Sequence, residues 1–375
     1  MTIPDNPGIP KLMVATLLVV MASSSQANFW LEKQWPETDF DKKQINMNEI
    51  TQGGPPRDGI PSIDQPEFVS IEQAARWIET DEPVIVVQMN NSARAYPLQI
   101  LTYHEIVNDL FEDQPIAVTF CPLCNAAIVF DRQLGDTVLE FGTTGLLRKS
   151  DLVMYDRQTF TWWQQFSGNA IVGQMLGQTL HSLPADIVGF GSFARNFPDG
   201  RVLSRNTGYS RPYGRNPYQG YDRIGQRPFL FRDSVDPRLP AMERVLNVSI
   251  GDTHRIYPFG VLASHPVIND RVAGLPVVVF ATEQVRSALD ESAIATSRRI
   301  LSASAYLSTL DGINLEFELK DGELRDTTTG SVWNRFGLAI SGDYAGRRLQ
   351  HTGGGSHFAF AWLAFNPDSG IYKSD

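Results

Sequence analysis

Apolar positions along this chain recur in short runs bounded by turn residues, and long amphipathic helices are few. Val84-Ile85-Val86-Val87 reads as a strand, followed by a turn at Asn90-Asn91-Ser92-Ala93. The pattern then predicts a short helix ending at Asn108-Asp109 and strands over 115–120, 126–131, 137–141 and 160–166. Ahead of these, Ser70-Ile71-Glu72-Gln73 has the form of a capping box, in which the Ser and Gln side chains each accept the other's backbone N–H, and it predicts a helix over 71–79. Residues 28–69 read as an extended arm with turns such as Gly53-Gly54-Pro55-Pro56, so that 28–78 form an arm and a short helix.

The pattern repeats itself. Tyr96-Pro97, Leu101, His104, Val107, Asn108-Asp109 and Pro115 align at one constant offset with Tyr257-Pro258, Leu262, His265, Ile268, Asn269-Asp270 and Pro276. Further on, Leu139-Glu140-Phe141 matches Leu315-Glu316-Phe317, and Trp163 and Phe166 match Trp333 and Phe336. Leu180, Phe193 and Pro198-Asp199 match Leu349, Trp362 and Pro367-Asp368. Preserved order implies a duplication, with one unit over 79–203 and a second over 241–375. The expected fold class is a β-rich α+β protein: two tandem, mainly antiparallel units packed as a pseudo-two-fold double domain. Between them lies 204–240, rich in Tyr, Arg, Gly and Pro, which reads as a linker with ordered packing.

Composition narrows the function classes. The chain has 375 residues and a net charge of −10, and lacks basic runs, which argues against nucleic acid or an anionic membrane as partner. Residues 1–27 read as a secretory signal: Lys11, an apolar core from Leu12 to Ala22, and a small-x-small cleavage site at Ser25-Gln26-Ala27. The expected location is periplasmic or extracellular, with no transmembrane segment in the mature chain; the partner is left open, a protein of that compartment being one candidate. No phosphate loop or dinucleotide fingerprint is present, so no nucleotide cofactor is expected.

The only cysteines stand in Phe120-Cys121-Pro122-Leu123-Cys124-Asn125, directly after a strand-like run. A disulfide framework is therefore excluded, and a local two-thiol site remains. In thioredoxin-type redox sites the first thiol opens a helix. Here the following Asn125–Asp131 ends in a β-prone Ile-Val-Phe, so strand, tight turn and strand resemble a metal knuckle instead. Three readings stay open: thiolate ligands, a redox pair with Cys121 attacking and Cys124 resolving, and a structural disulfide. An oxidising compartment favours a Cys121–Cys124 disulfide unless metal or a reductant intervenes, and raises the disulfide and copper(I) readings over zinc.

The duplication permits a subtraction. Cys121 and Cys124 fall opposite Thr282 and Val285, and the segment Gly145–Arg157 is shortened to Lys320–Arg325 in the second unit. Residues found in one unit only are better candidates for chemistry than residues that both scaffolds need. A site therefore belongs to the first unit. His104 is a candidate third ligand, although His265 occupies the equivalent place. Ser150, Asp151, Met154, Asp156 and Arg157 are candidates for a pocket wall. His351 and His357, flanking Gly353-Gly354-Gly355-Ser356, are further candidate ligands. Trp162-Trp163 reads as a core anchor.

The stretches Ala93-Arg94-Ala95-Tyr96-Pro97-Leu98, His104–Asp109, Thr119–Cys124, Phe141-Gly142 with Gly145-Leu146-Leu147, Ser150–Arg157, Val202-Leu203-Ser204 and Thr207-Gly208-Tyr209 resemble a family of bacterial and archaeal proteins named domain of unknown function 3179. That family usually has Gly after the second cysteine; here it is Asn125, which also tolerates a left-handed turn conformation. The resemblance implies no established activity. The leading expectation is binding of a thiophilic metal, with thiol–disulfide oxidoreductase and non-enzymatic scaffold as alternatives.

Overall fold

The computed structural model describes residues 30–374 apart from Asn91. The expected leader over 1–27 lies outside the described residues. The fold is β-rich, with 42% strand against 12% helix, and most strand pairs are antiparallel.

Strand order recurs along the chain. In the first half, Pro83–Met89 lies between Ala185–Gly189 and Ser92–Pro97, and Arg201–Leu203 adds in parallel to Ser92–Pro97. In the second, Arg244–Ile250 lies between Ser356–Phe358 and Thr253–Pro258, and Gly370–Ile371 adds in parallel to Thr253–Pro258. A second sheet runs Ser182–Leu183, Ala126–Asp131, Gln114–Cys121, Ile106–Phe111; its counterpart runs Gln350–His351, Arg299–Leu307, Leu275–Arg286, Val267–Val272. A third runs Phe141–Arg148, Asp151–Asp156, Trp162–Gln164, Ala170–Val172, matched by Phe317–Lys320, Glu323–Asp326, Val332–Trp333, Ala339–Ser341. The N-terminal arm adds Ile50–Gln52 to the edge of the first-half hairpin.

The repeated residues make repeated bonds. Tyr96 and Arg94 both donate to Asp109 Oδ2, as Tyr257 and Arg255 do to Asp270. Asn108 closes a two-way bond with the backbone of Phe141, and Asn269 does so with Phe317. Buried Asp156 accepts from Trp163 Nε1 at 2.9 Å and from Thr159, and Asp326 accepts from Trp333 Nε1 at 3.0 Å and from Thr329. Each set satisfies buried donors that would otherwise cost about 1–3 kcal/mol apiece.

Burial explains the apolar run 83–89. Ile85 and Val87 face the main core, while Val84 and Val86 face a second cluster with Phe190 and Phe193, so both faces of the strand are covered. The main core joins both halves: Cys121, Cys124, Met154 and Trp163 pack in one cluster with Val245, Phe358 and Trp362. Trp162 and Trp163 are both fully buried.

Two local expectations change. The capping box at Ser70 and Gln73 forms, but the α-helix covers only Ile71–Ala74. Tighter i→i+3 bonding from Trp77 to Ala74 then turns the chain. The helix Leu98–His104 stops before Asn108-Asp109, because Glu105 takes a left-handed conformation (φ 57°) at its C-cap. Ile106-Val107 then pair with Val118-Thr119, so Asn108 and Asp109 lie in a strand.

Candidate functional site

The two cysteines sit at the tip of the hairpin formed by Gln114–Cys121 and Ala126–Asp131. The turn is closed by Cys124 N–H to Cys121 O and by Asn125 N–H to Pro122 O, both at 3.2 Å. Asn125 adopts φ 50°, the left-handed conformation expected of it. The second half clamps this turn: Phe358 N–H donates to Cys124 O at 2.9 Å. Both thiols are free and buried, so the disulfide reading is set aside by the structure.

The hairpin of Phe141–Arg148 and Asp151–Asp156 reaches the thiols from the other side. Arg148 pairs with Asp151 across a two-residue turn, in which Lys149 (φ 53°) and Ser150 (φ 68°) are both left-handed. Neither is Gly, so the tip carries strain of about 1 kcal/mol or more per residue. The turn is held in place by Lys149 Nζ on Ala364 O (2.7 Å) and Ser150 Oγ on Phe229 O (2.5 Å). Lower in the hairpin, the ladder slips between Thr143 and Leu147. Gly145 is required there, since a Cβ would stand 2.0 Å from Pro55 O.

This tip places three donors together. One Sγ from Cys121, one from Cys124 and one carboxylate oxygen of Asp151 lie within 4.8 Å of one another, all buried. Ser150 O stands 3.5 Å from Cys124 Sγ and 4.0 Å from Cys121 Sγ. Asp151 Oδ2 is held by Gln164 Nε2 (2.6 Å) and Phe166 N–H (2.9 Å), whereas its buried Oδ1 has no N–H or O–H donor among the described residues. Burial raises Asp151 to about 7 and pushes both thiols up; the charges that act on each thiol from neighbouring groups are negative.

Glu105 is the fourth acidic group. Burial, with the Asp151 charge added, raises it to about 8. It lines a cavity of about 490 Å³ that passes over Leu123 of the cysteine turn and Leu152 beside Asp151. The segment expected as a linker forms the opposite wall, through Tyr218, Tyr221 and Phe229. Tyr221 Oη donates to Leu123 O at 3.0 Å and accepts from Phe229 N–H at 3.1 Å.

The other sequence candidates go elsewhere. His104, expected as third ligand, lies outside the three-donor group. Its Nδ1 meets Pro61 O at 2.7 Å and its Nε2 meets Tyr213 Oη at 2.6 Å, so both nitrogens are occupied, and burial lowers its pKa. Of the pocket candidates, Ser150 and Asp151 reach the thiols. Met154 packs in the core, Asp156 closes the Trp163 bond, and Arg157 pairs with Asp58, Asp64 and Glu140. His351 binds Asp186 and His357 binds Asn247. Glu105 was missed, although the subtraction contained it: the second unit has Pro266 at the equivalent place.

The chain belongs to the family described as Protein of unknown function (DUF3179), whose model matches residues 57–369. No curated protein and no solved structure matches it.

Proposed function

We propose that this member of the DUF3179 family binds a thiophilic divalent metal ion through Cys121, Cys124 and Asp151. The observation that carries the reading is the convergence of two sulfurs and a carboxylate oxygen within 4.8 Å in a buried site. Among the described residues Asp151 Oδ1 has no N–H or O–H donor, and beyond the bonds to Oδ2 the side chain meets only the weak S–H donors of Cys121 and Cys124, which strengthens the reading. A buried carboxylate oxygen left to weak thiol donors is costly, and a cation supplies a stronger partner. Two thiols and two carboxyls buried together are all held towards their neutral forms, a state that metal binding would reverse by displacing their protons.

The donor set favours zinc over the copper(I) expected from the thiols alone. Zinc accepts sulfur and carboxylate oxygen in one tetrahedral shell, while copper(I) prefers sulfur. Three protein ligands leave a fourth position open. The same surroundings oppose the oxidoreductase alternative. A reactive thiol needs a depressed pKa beside positive charge, and here burial and neighbouring carboxyls push both thiols up.

The wider reading keeps 79–203 and 241–375 as two copies of one unit about a pseudo-two-fold axis, supported by their recurring strand order. It also keeps export with a cleaved leader. No helix among the described residues is long and apolar enough to cross a membrane. N-terminal sequencing of the mature protein tests export.

Elemental analysis of protein purified without chelator tests the metal. About one zinc per chain is expected, lost on Cys121→Ser, Cys124→Ser or Asp151→Ala and kept on His104→Ala. Full metal content in either serine variant would end the proposal.

A further inference from the structure

The cavity beside the cysteine turn calls for an occupant of its own. Its volume of about 490 Å³ suits a small organic molecule. Much of the wall is aliphatic, from Ile60, Leu123, Leu146, Leu147 and Leu152. Into it opens Glu105, which is 7% exposed and receives no hydrogen bond or ion pair at its carboxyl from any described residue. A carboxyl in an apolar cavity without a partner is expensive to keep unless a ligand completes it. Asp151 lies close enough for its charge to act on Glu105. Two tyrosines, Tyr218 and Tyr221, border the space, and aromatic walls suit a cationic head. The one basic residue of the lining, Arg227, is exposed to solvent.

We propose that this cavity binds an organic amine: an apolar body against the leucines and a protonated head on Glu105. The site adjoins the metal ligands but uses none of them. A carboxylate-headed ligand of the same shape would find no buried cation in the described lining to pair with and would be disfavoured.

The test uses the full-length mature protein and three probes with one body: benzylamine, benzyl alcohol and benzoate, titrated by calorimetry. Benzylamine should bind one per chain, ahead of the alcohol, with benzoate weakest. Glu105→Gln should weaken benzylamine by about thirty-fold, as expected when one partner of a buried charge pair is removed, and leave the alcohol nearly unchanged. Leu147→Trp, which adds bulk at another wall position and leaves Glu105 in the chain, should abolish binding of all three and keeps the test decisive where Glu105→Gln fails to fold. Benzoate binding as well as benzylamine, benzylamine affinity unmoved by Glu105→Gln, or no binding of any probe to the folded wild-type protein would overturn the proposal. Metal content is measured on each sample. One metal per chain with no amine binding sinks this inference alone, and amine binding without metal sinks only the metal reading.

Discussion

The third sheet of each half begins with a hairpin closed by the same buried Asp–Thr–Trp bonds, at Asp156 in one and Asp326 in the other. Their outer ends differ. The first-half strand Phe141–Arg148 has 8 residues, against 4 for Phe317–Lys320. Both tips are two-residue turns with two left-handed residues. The second half uses Asp321-Gly322, where Gly takes the second position without strain. The first half uses Lys149-Ser150, and Ser150 holds φ 68° against its preference. Extra length carries this tip to the thiols, and its strained residue points its carbonyl at them and its hydroxyl at the cavity cover. The lesson is physical: a shared base supplies stability, and the extended tip turns a scaffold into a site at a local cost in strain.

The sharpest way to break that comparison is to remove the thiols. Zinc sites are worth about 10–16 kcal/mol shared among their ligands, so Cys121→Ser or Cys124→Ser should cost at least about 3 kcal/mol of metal affinity. Thr282 and Val285, which the second unit has at the aligned positions, should be replaceable by Ser and Ala with no change in metal content. Competition against a chromogenic chelator reads both.

The next effect concerns pH. Folding raises Asp151 from 3.8 to about 7, so between those values the folded metal-free chain holds a proton that the unfolded chain has released. The folded state then binds more protons, and stability falls as pH rises through that window. Glu105, raised to about 8, extends it upwards. Urea unfolding of metal-free protein should lose about 3 kcal/mol between roughly pH 5 and pH 7. With metal bound the trend should reverse, because the ligands must shed protons to bind. Metal-free stability that is flat or rising over this range would contradict the buried carboxyls.

Slightly smaller, and equal in both halves, is the scaffold term. Asp156→Ala and Asp326→Ala each strand a buried Trp N–H and should cost about 2–3 kcal/mol in chemical denaturation. Asp156→Ala should leave metal content per folded molecule unchanged. A loss of metal would mean that the base of the hairpin, and not its tip, sets the site. The smallest effect is expected of Ser150→Gly: strain relief offsets the lost hydrogen bond to Phe229 O, for a net change within about 1 kcal/mol, and the metal stays because Ser150 faces the thiols through its backbone.

Part of this was legible in the chain. The two-thiol turn, its placement after a strand and the left-handed Asn125 follow from local spacing and turn chemistry. The subtraction of one half from the other pointed at the longer segment 145–157 and thus at Ser150 and Asp151, yet it gave Met154, Asp156 and Arg157 equal weight. Strand alternation separates them: Asp151 lies at the tip, while Asp156 lies at the base among bonds that both halves repeat. His104 was plausible as a ligand from residue type alone. Its two nitrogens are taken by Pro61 and Tyr213, which are 43 and 109 positions away in the chain.

What the sequence determined by itself, then, is whatever short-range physics controls: β-rich character from short apolar runs, the cysteine turn from its spacing, and recurring Asn, Asp, Tyr and Trp positions that make recurring bonds. Only the tertiary structure decided which groups share a site. It brought Asp151 to thiols some 30 residues earlier, sent His104 elsewhere, and folded the segment expected as a linker over a cavity with Glu105 in its wall. The reason is that a donor set is a property of distance and burial. Long-range strand pairing and a common core fix both, and neither leaves a trace in the spacing of residues along the chain.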